Sequence, residues 1–152
     1  MLPKILAVSG DRFSRLTRSS ASSERPPDPS GFGLIAPSLN LLRSRKAANR
    51  ESGIWRLNNW HYHESVLPEV VAQGGVEALL DALPGAVPET RITILELLVR
   101  LAPVGDARDR LLAKDAASRV RRDCSVPSGA AAIDGQCGEL AECLAQALAA
   151  QP

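Results

Sequence analysis

At 152 residues the chain suits one modest domain, able to bury roughly 70% of the surface an unfolded chain of that size exposes. Leu, Ala and Val dominate its apolar content and only five residues are aromatic, which favours helices packed through aliphatic side chains over a sheet core. The net charge of +1 hides an uneven layout: residues 1–63 carry ten Lys or Arg against four acids (+6), and residues 64–152 carry eight against thirteen (−5), so the larger part of the chain makes no strong electrostatic claim on nucleic acid.

Residues 1–53 hold no sustained hydrophobic period, and a flexible, largely disordered basic extension is expected there, ahead of a folded domain at 54–152. Met1–Ser23 is rich in Arg and Ser with a single acid, Asp11, a composition that mitochondrial presequences share with disordered leaders. As a secretory signal its opening is poor, because Asp11 and three arginines follow the short apolar run directly. Ser19–Ser30 reads as a linker, with almost nothing to bury and three prolines to hold it open. Pro37-Ser38 offers the start of a short helix through Arg50, with Ser38 as N-cap and Leu39 and Leu42 on one side. Arg43, Arg45, Lys46 and Arg50 take its other faces, a surface that either stays solvated or lies along RNA phosphates or an anionic membrane.

Gly53–Glu64 (GIWRLNNWHYHE) holds three of the five aromatics. Trp55, Leu57, Trp60 and Tyr62 are expected to cap the end of a helical stack, burying much area per residue. From Ser65 the pattern sharpens. Val66, Leu67, Val70 and Val71 form one side of a short helix with Pro68 in its first turn. Gly74-Gly75 permits a sharp reversal. Val76, Leu79, Leu80 and Leu83 then recur at i, i+3, i+4 and i+7 of a second helix, with Glu77 and Asp81 facing away. After a turn at Pro84–Pro88, a third helix runs from Pro88 to Ala102. Its polar stripe is Glu89, Thr93, Glu96 and Arg100, and Ile92, Ile94, Leu95, Leu97, Leu98, Val99 and Leu101 fill the rest. A helix so apolar around its circumference must be covered on several sides.

Shifting the pattern by 41 places VVAQGGVEALL (70–80) on LLAKDAASRVR (111–121). Farther on, Ile94, Leu97, Leu98 and Leu101 meet Ala141, Leu144, Ala145 and Leu148. Helices recurring every forty or so residues are the mark of an α-solenoid unit. Short helix, small-residue corner (Ala72-Gln73-Gly74-Gly75-Val76), second helix and long third helix together resemble the armadillo repeat family across about residues 64–149. The second unit departs from that pattern, since Asp115-Ala116 replaces the glycines and Cys124–Cys137 reads as a long small-residue loop. Its first two helices are expected to run together from Asp106 to about Arg122. The resemblance implies an all-α, armadillo-like solenoid of about two repeats whose third helices line a protein-binding surface. Relatives often grip peptides through Asn on that helix, where this one has Thr93, Glu96 and Arg100. A second, shorter stretch, Asn58-Asn59-Trp60-His61-Tyr62-His63-Glu64, resembles the opening of co-chaperones that activate a heat-shock ATPase, without the alternating strand pattern that follows it in them.

Chemistry is sparse. His61, His63 and Glu64 are metal-like residue types, but Cys124, Cys137 and Cys143 are separated by twelve and five residues, unlike a zinc ligand set, so neither metal nor cofactor is expected. Cys143 reads as a small core residue of a helical face, and Cys124 and Cys137 as a pair able to join under oxidation. No elbow-like nucleophile and no phosphate loop occurs, and no enzyme is expected. Three cysteines without CxxC and no apolar run of about eighteen residues fit a cytoplasmic protein, with nuclear or mitochondrial location open. The expectation is a non-catalytic adaptor or co-chaperone-like module. It would bind a protein partner through Glu77, Asp81, Glu89, Thr93, Glu96 and Arg100, and self-associate, if at all, through open solenoid ends. The alternative is a basic-tail binder of RNA or anionic membrane, using Arg43, Arg45, Lys46 and Arg50.

Overall fold

The computed structural model describes residues 33–60 and 63–150, and these form eight α-helices with no strand among them. The helices are α1 (Ile35–Leu42), α2 (Ala47–Asn59), α3 (Val66–Ala72), α4 (Gly75–Ala82), α5 (Pro88–Leu101), α6 (Ala107–Ala113), α7 (Ala116–Cys124) and α8 (Ala131–Ala149), with a 3-10 turn, Leu83–Gly85, after α4. Met1–Phe32, with the leader and linker read from sequence, lies outside the described residues, as do His61, Tyr62, Gln151 and Pro152.

The long apolar helix sits where its sequence demands. Ile94, Leu95 and Leu98 of α5 are fully buried, and the helix packs against α2 on one side and α8 on the other, with α4 also in contact. Pro88 occupies its first turn, where the missing N–H costs no intrahelical bond. Covering by several neighbours is what a rod with so narrow a polar stripe requires.

Residues 35–53, read from sequence as part of the extension, belong instead to this helical body. Ile35, Leu39 and Leu42 are buried to 1% exposure or less, and α1 packs against α2, α3 and α4. Ser38 is no N-cap: it lies inside α1, buried, and its hydroxyl donates to Leu34 O at 3.0 Å. The helix stops at Leu42 and a new one starts at Ala47. Ser44 organises the corner between them, its Oγ accepting from Lys46 N–H (3.2 Å) and Asn49 Nδ2 (3.1 Å). The two helices then meet backbone to backbone. A Cβ built on Gly53 would stand 2.7 Å from both Leu42 N and Ser38 O, so only glycine lets α2 come this close.

Helix starts recur at a fixed offset. α3 and α6 start at Val66 and Ala107, and α4 and α7 at Gly75 and Ala116, each pair 41 positions apart. The same offset relates Ala47 of α2 to Pro88 of α5, so the recurrence extends into the segment taken for a tail. Where helix α3 gives way to α4, Gly74 takes φ +80°; at the equivalent corner Asp115 takes φ +49°. The expected continuous helix from Asp106 to Arg122 is therefore broken at this left-handed aspartate, a conformation that Asp tolerates better than most L-residues. The loop before α8 is also shorter than read, because α8 begins at Ala131.

Several helix ends are closed by arginines from neighbouring elements. Arg43 donates to the carbonyl of Gln73 just after α3, Arg91 to that of Asp123 in the last turn of α7 (3.2 Å), and Arg108 to that of Leu148 in the last turn of α8 (2.8 Å). Each satisfies a carbonyl that has no intrahelical partner and sets positive charge at the negative end of the helix.

Candidate functional site

Two depressions gather most of the polar residues singled out above. The larger, about 560 Å³, lies between the α1–α2 corner and α4. Arg43, Arg45 and Arg50 stand on one wall, Glu77 and Asp81 on the other, with Arg110 of α6 beside them. Members of two residue sets assigned from sequence to different functions, Arg43, Arg45 and Arg50 from one and Glu77 and Asp81 from the other, thus share one groove. Arg50 is fixed by its own corner, Nη1 donating to the carbonyls of Ser44 (3.1 Å) and Arg45 (2.8 Å).

Glu77 and Asp81 do face away from the core of α4, but they meet α6 and α7. Glu77 pairs with Arg110 at 3.4 Å and Asp81 with Arg119 at 3.2 Å. Arg110 also holds Asp106 at 3.0 Å, and that hydrogen bond is the main cause that raises its pKa. These acids join α4 to α6 and α7. Arg110 and Arg119 escaped the sequence reading because their partners lie 33 and 38 residues away, in α4.

The smaller depression, about 330 Å³, crosses the face where α2, α5 and α8 lie side by side. Asn58 of α2, Glu96 and Arg100 of α5, and Leu140 of α8 line it. Glu96 and Arg100 are exposed, as the stripe predicts, and so is Glu89 at the start of α5. Thr93 is not displayed: it is only 5% exposed, and its hydroxyl turns back to Glu89 O at 3.4 Å. Cover from α2 and α8 narrows the polar stripe to its ends, and Thr tolerates burial because it can donate within its own helix. Asn58 and Leu140 were missed, the first because its segment was read as an aromatic cap. Of that cap, Leu57 is buried and Trp60 packs at the core's edge, while Trp55 points outward.

Cys124 of α7 and Cys137 of α8 meet within hydrogen-bond reach of each other. Burial is the leading cause that pushes the Cys124 thiol up to about 11, with Cys137 shifted upward for the same reason. Cys143, read as a core residue, is exposed instead. Near pH 8 an alkylating reagent should therefore label Cys143 first and leave the other two protected, which peptide mass mapping reads directly. Between about pH 9 and pH 11 the folded Cys124 keeps a proton that the unfolded thiol has lost, so stability should fall as pH rises through that window.

Among the described residues no group of three or more His, Cys, Asp or Glu is placed to hold a metal ion. None of their helices is long and apolar enough to cross a membrane. Of the heptapeptide likened to co-chaperone openings, Asn58 and Asn59 end α2 and no strand follows among the described residues. Protein-family models, curated proteins and solved structures alike offer no match to this chain.

Proposed function

We propose that the chain is a non-catalytic protein-interaction module, adaptor or co-chaperone-like, built on an armadillo-like stack. Three features support the repeat type: the 41-residue register of α2–α4 and α5–α7, the left-handed corner shared by Gly74 and Asp115, and the side-by-side contact of α5 with α2 and α8. In that reading α1 and α2 are the second and third helices of a partial first unit. They bring the stack nearer the three units usually needed for independent stability.

The observation that carries the functional reading is the depression spanning α2, α5 and α8. It places an acid, a guanidinium, an amide and an aliphatic side chain on one surface of three rigid helices. Long helices in contact present side chains to a partner with little ordering cost. Asn58 sets its amide on the long helix beside α5, which has none of its own. The opposed charges of Glu96 and Arg100 suit a peptide segment of mixed charge. Self-association through the ends of the stack is the accompanying proposal, and Leu112 and Val126, both large, apolar and exposed, are the side chains it would cover.

The test is the double substitution Glu96→Lys with Arg100→Glu in residues 33–152. Partners retained from lysate by the unaltered protein should be lost, about tenfold or more in affinity, with the circular dichroism spectrum and Tm unchanged. Retention of the same partners at unchanged affinity would remove α5 from the interface.

A further inference from the structure

The groove between the α1–α2 corner and α4 has a charge pattern that the fold does not use up. Of its acids, Asp81 pairs with Arg119, and Glu77 engages Arg110 through Oε1 while its Oε2 is buried without a hydrogen-bond partner. No carboxylate pairs with Arg43, Arg45 or Arg50 among the described residues. Arg43 and Arg50 are held by backbone carbonyls instead. A carbonyl fixes a guanidinium without cancelling its charge, and most of the five N–H donors remain for another acceptor. The cost of ordering two long side chains is thus met within the fold.

Beneath them the floor is small: Gly74, Ala78, Ala82 and Gly85. A Cβ on Gly85 would sit 3.4 Å from Arg50 Nη2, and one on Gly74 2.9 Å from Arg43 Nη2. The guanidinium ends therefore stand directly over the floor. The geometry points to a binding site for a single phosphoryl group, carried by a phosphorylated peptide segment of a protein partner. A phosphate monoester brings about two negative charges and three acceptor oxygens, matching fixed guanidiniums in charge and fork geometry better than one carboxylate does. Its setting excludes a continuous polyanion. The opposite wall carries Glu77 and Asp81, and residues 64–152 have a net excess of five acids. Successive RNA phosphates or a sheet of anionic lipid would meet those carboxylates, whereas one phosphate with a lysine beside it places each charge against its opposite. The site lies away from the α5 face, so the Glu96 and Arg100 substitutions do not bear on it.

Fluorescence anisotropy with a labelled synthetic peptide, one phosphoserine between two lysines, tests the inference on the full 152-residue chain. The phosphorylated peptide should bind about tenfold or more tighter than its unphosphorylated twin. Two substitutions should erase that preference with helicity intact. Arg45→Glu alters an exposed side chain outside every ion pair among the described residues. Gly85→Asp sets a built-in carboxylate beside Arg50 and should raise Tm in the absence of peptide. Equal binding of the two peptides, or a preference that survives both substitutions, overturns the proposal. So does tighter binding of poly(U) or of phosphatidylserine vesicles through the same arginines.

Discussion

A chain cut back to residues 54–152 is expected to lose its cooperative thermal transition. The cut removes α1 and the first half of α2, and with them Ile35, Leu39 and Leu42, all fully or almost fully buried. At about 1.5–3 kcal/mol for each buried aliphatic side chain, those three alone represent roughly 5–9 kcal/mol. That is comparable to the whole margin of about 5–15 kcal/mol by which a domain is stable. The loss is compounded on the other side of the contact, because faces of α4 and α5 that pack on α1 and α2 become exposed. Circular dichroism melts of 33–152 and 54–152 side by side make the comparison. A sharp transition at the same Tm in both would show that the α1–α2 pair is only draped on the body.

Gly53→Ala is expected to be a severely damaging single-methyl change between two helices. The added carbon would lie 2.7 Å from two backbone atoms of α1, and backbone cannot rotate aside as a side-chain tip can. The helices must separate, at a cost of about 2–3 kcal/mol and a Tm fall on the order of 5–15 °C. Gly135→Ala and Gly138→Ala in α8 supply the contrast. Nothing lies within 4 Å of a Cβ at either position, so alanine should stabilise by about 0.5–1 kcal/mol through helix propensity. A Gly53→Ala protein melting at or above the parent temperature would refute the backbone-to-backbone contact.

These two substitution classes show why the sequence was readable in its middle and opaque at its start. The helices α4 and α5 announce themselves through large aliphatic residues at helical spacing, and Leu79, Leu80, Leu95 and Leu98 are buried as that spacing requires. Where α1 and α2 approach most closely the contact runs through Ser38 and Gly53, which carry no hydrophobic signal although both are buried. The arginines of the corner reinforced the misreading, since a dense basic run looks like a tail until carbonyls are found to hold it. The break between α6 and α7 was legible in principle, because Asp115 falls 41 residues after Gly74 and both take positive φ. Residue type argued against it, and register was the better guide. Of the proposed surface, Glu89, Glu96 and Arg100 were placed correctly as exposed. Thr93 was not, because a hydroxyl on a helix reads the same whether it meets water or its own backbone. Cys124 and Cys137 show the opposite lesson. Read from sequence as able to join across twelve intervening residues, they are brought side by side by the start of α8 at Ala131.

The placement of α5 between two long neighbours has a mechanical meaning. Its aliphatic side chains fill the space toward both α2 and α8, and interiors packed at crystal-like density compress very little. A load applied at one flank therefore passes through the central rod to the other instead of being absorbed on the way. Sliding one of the three helices past the next would break those contacts, whereas a bend shared by all three would keep most of them.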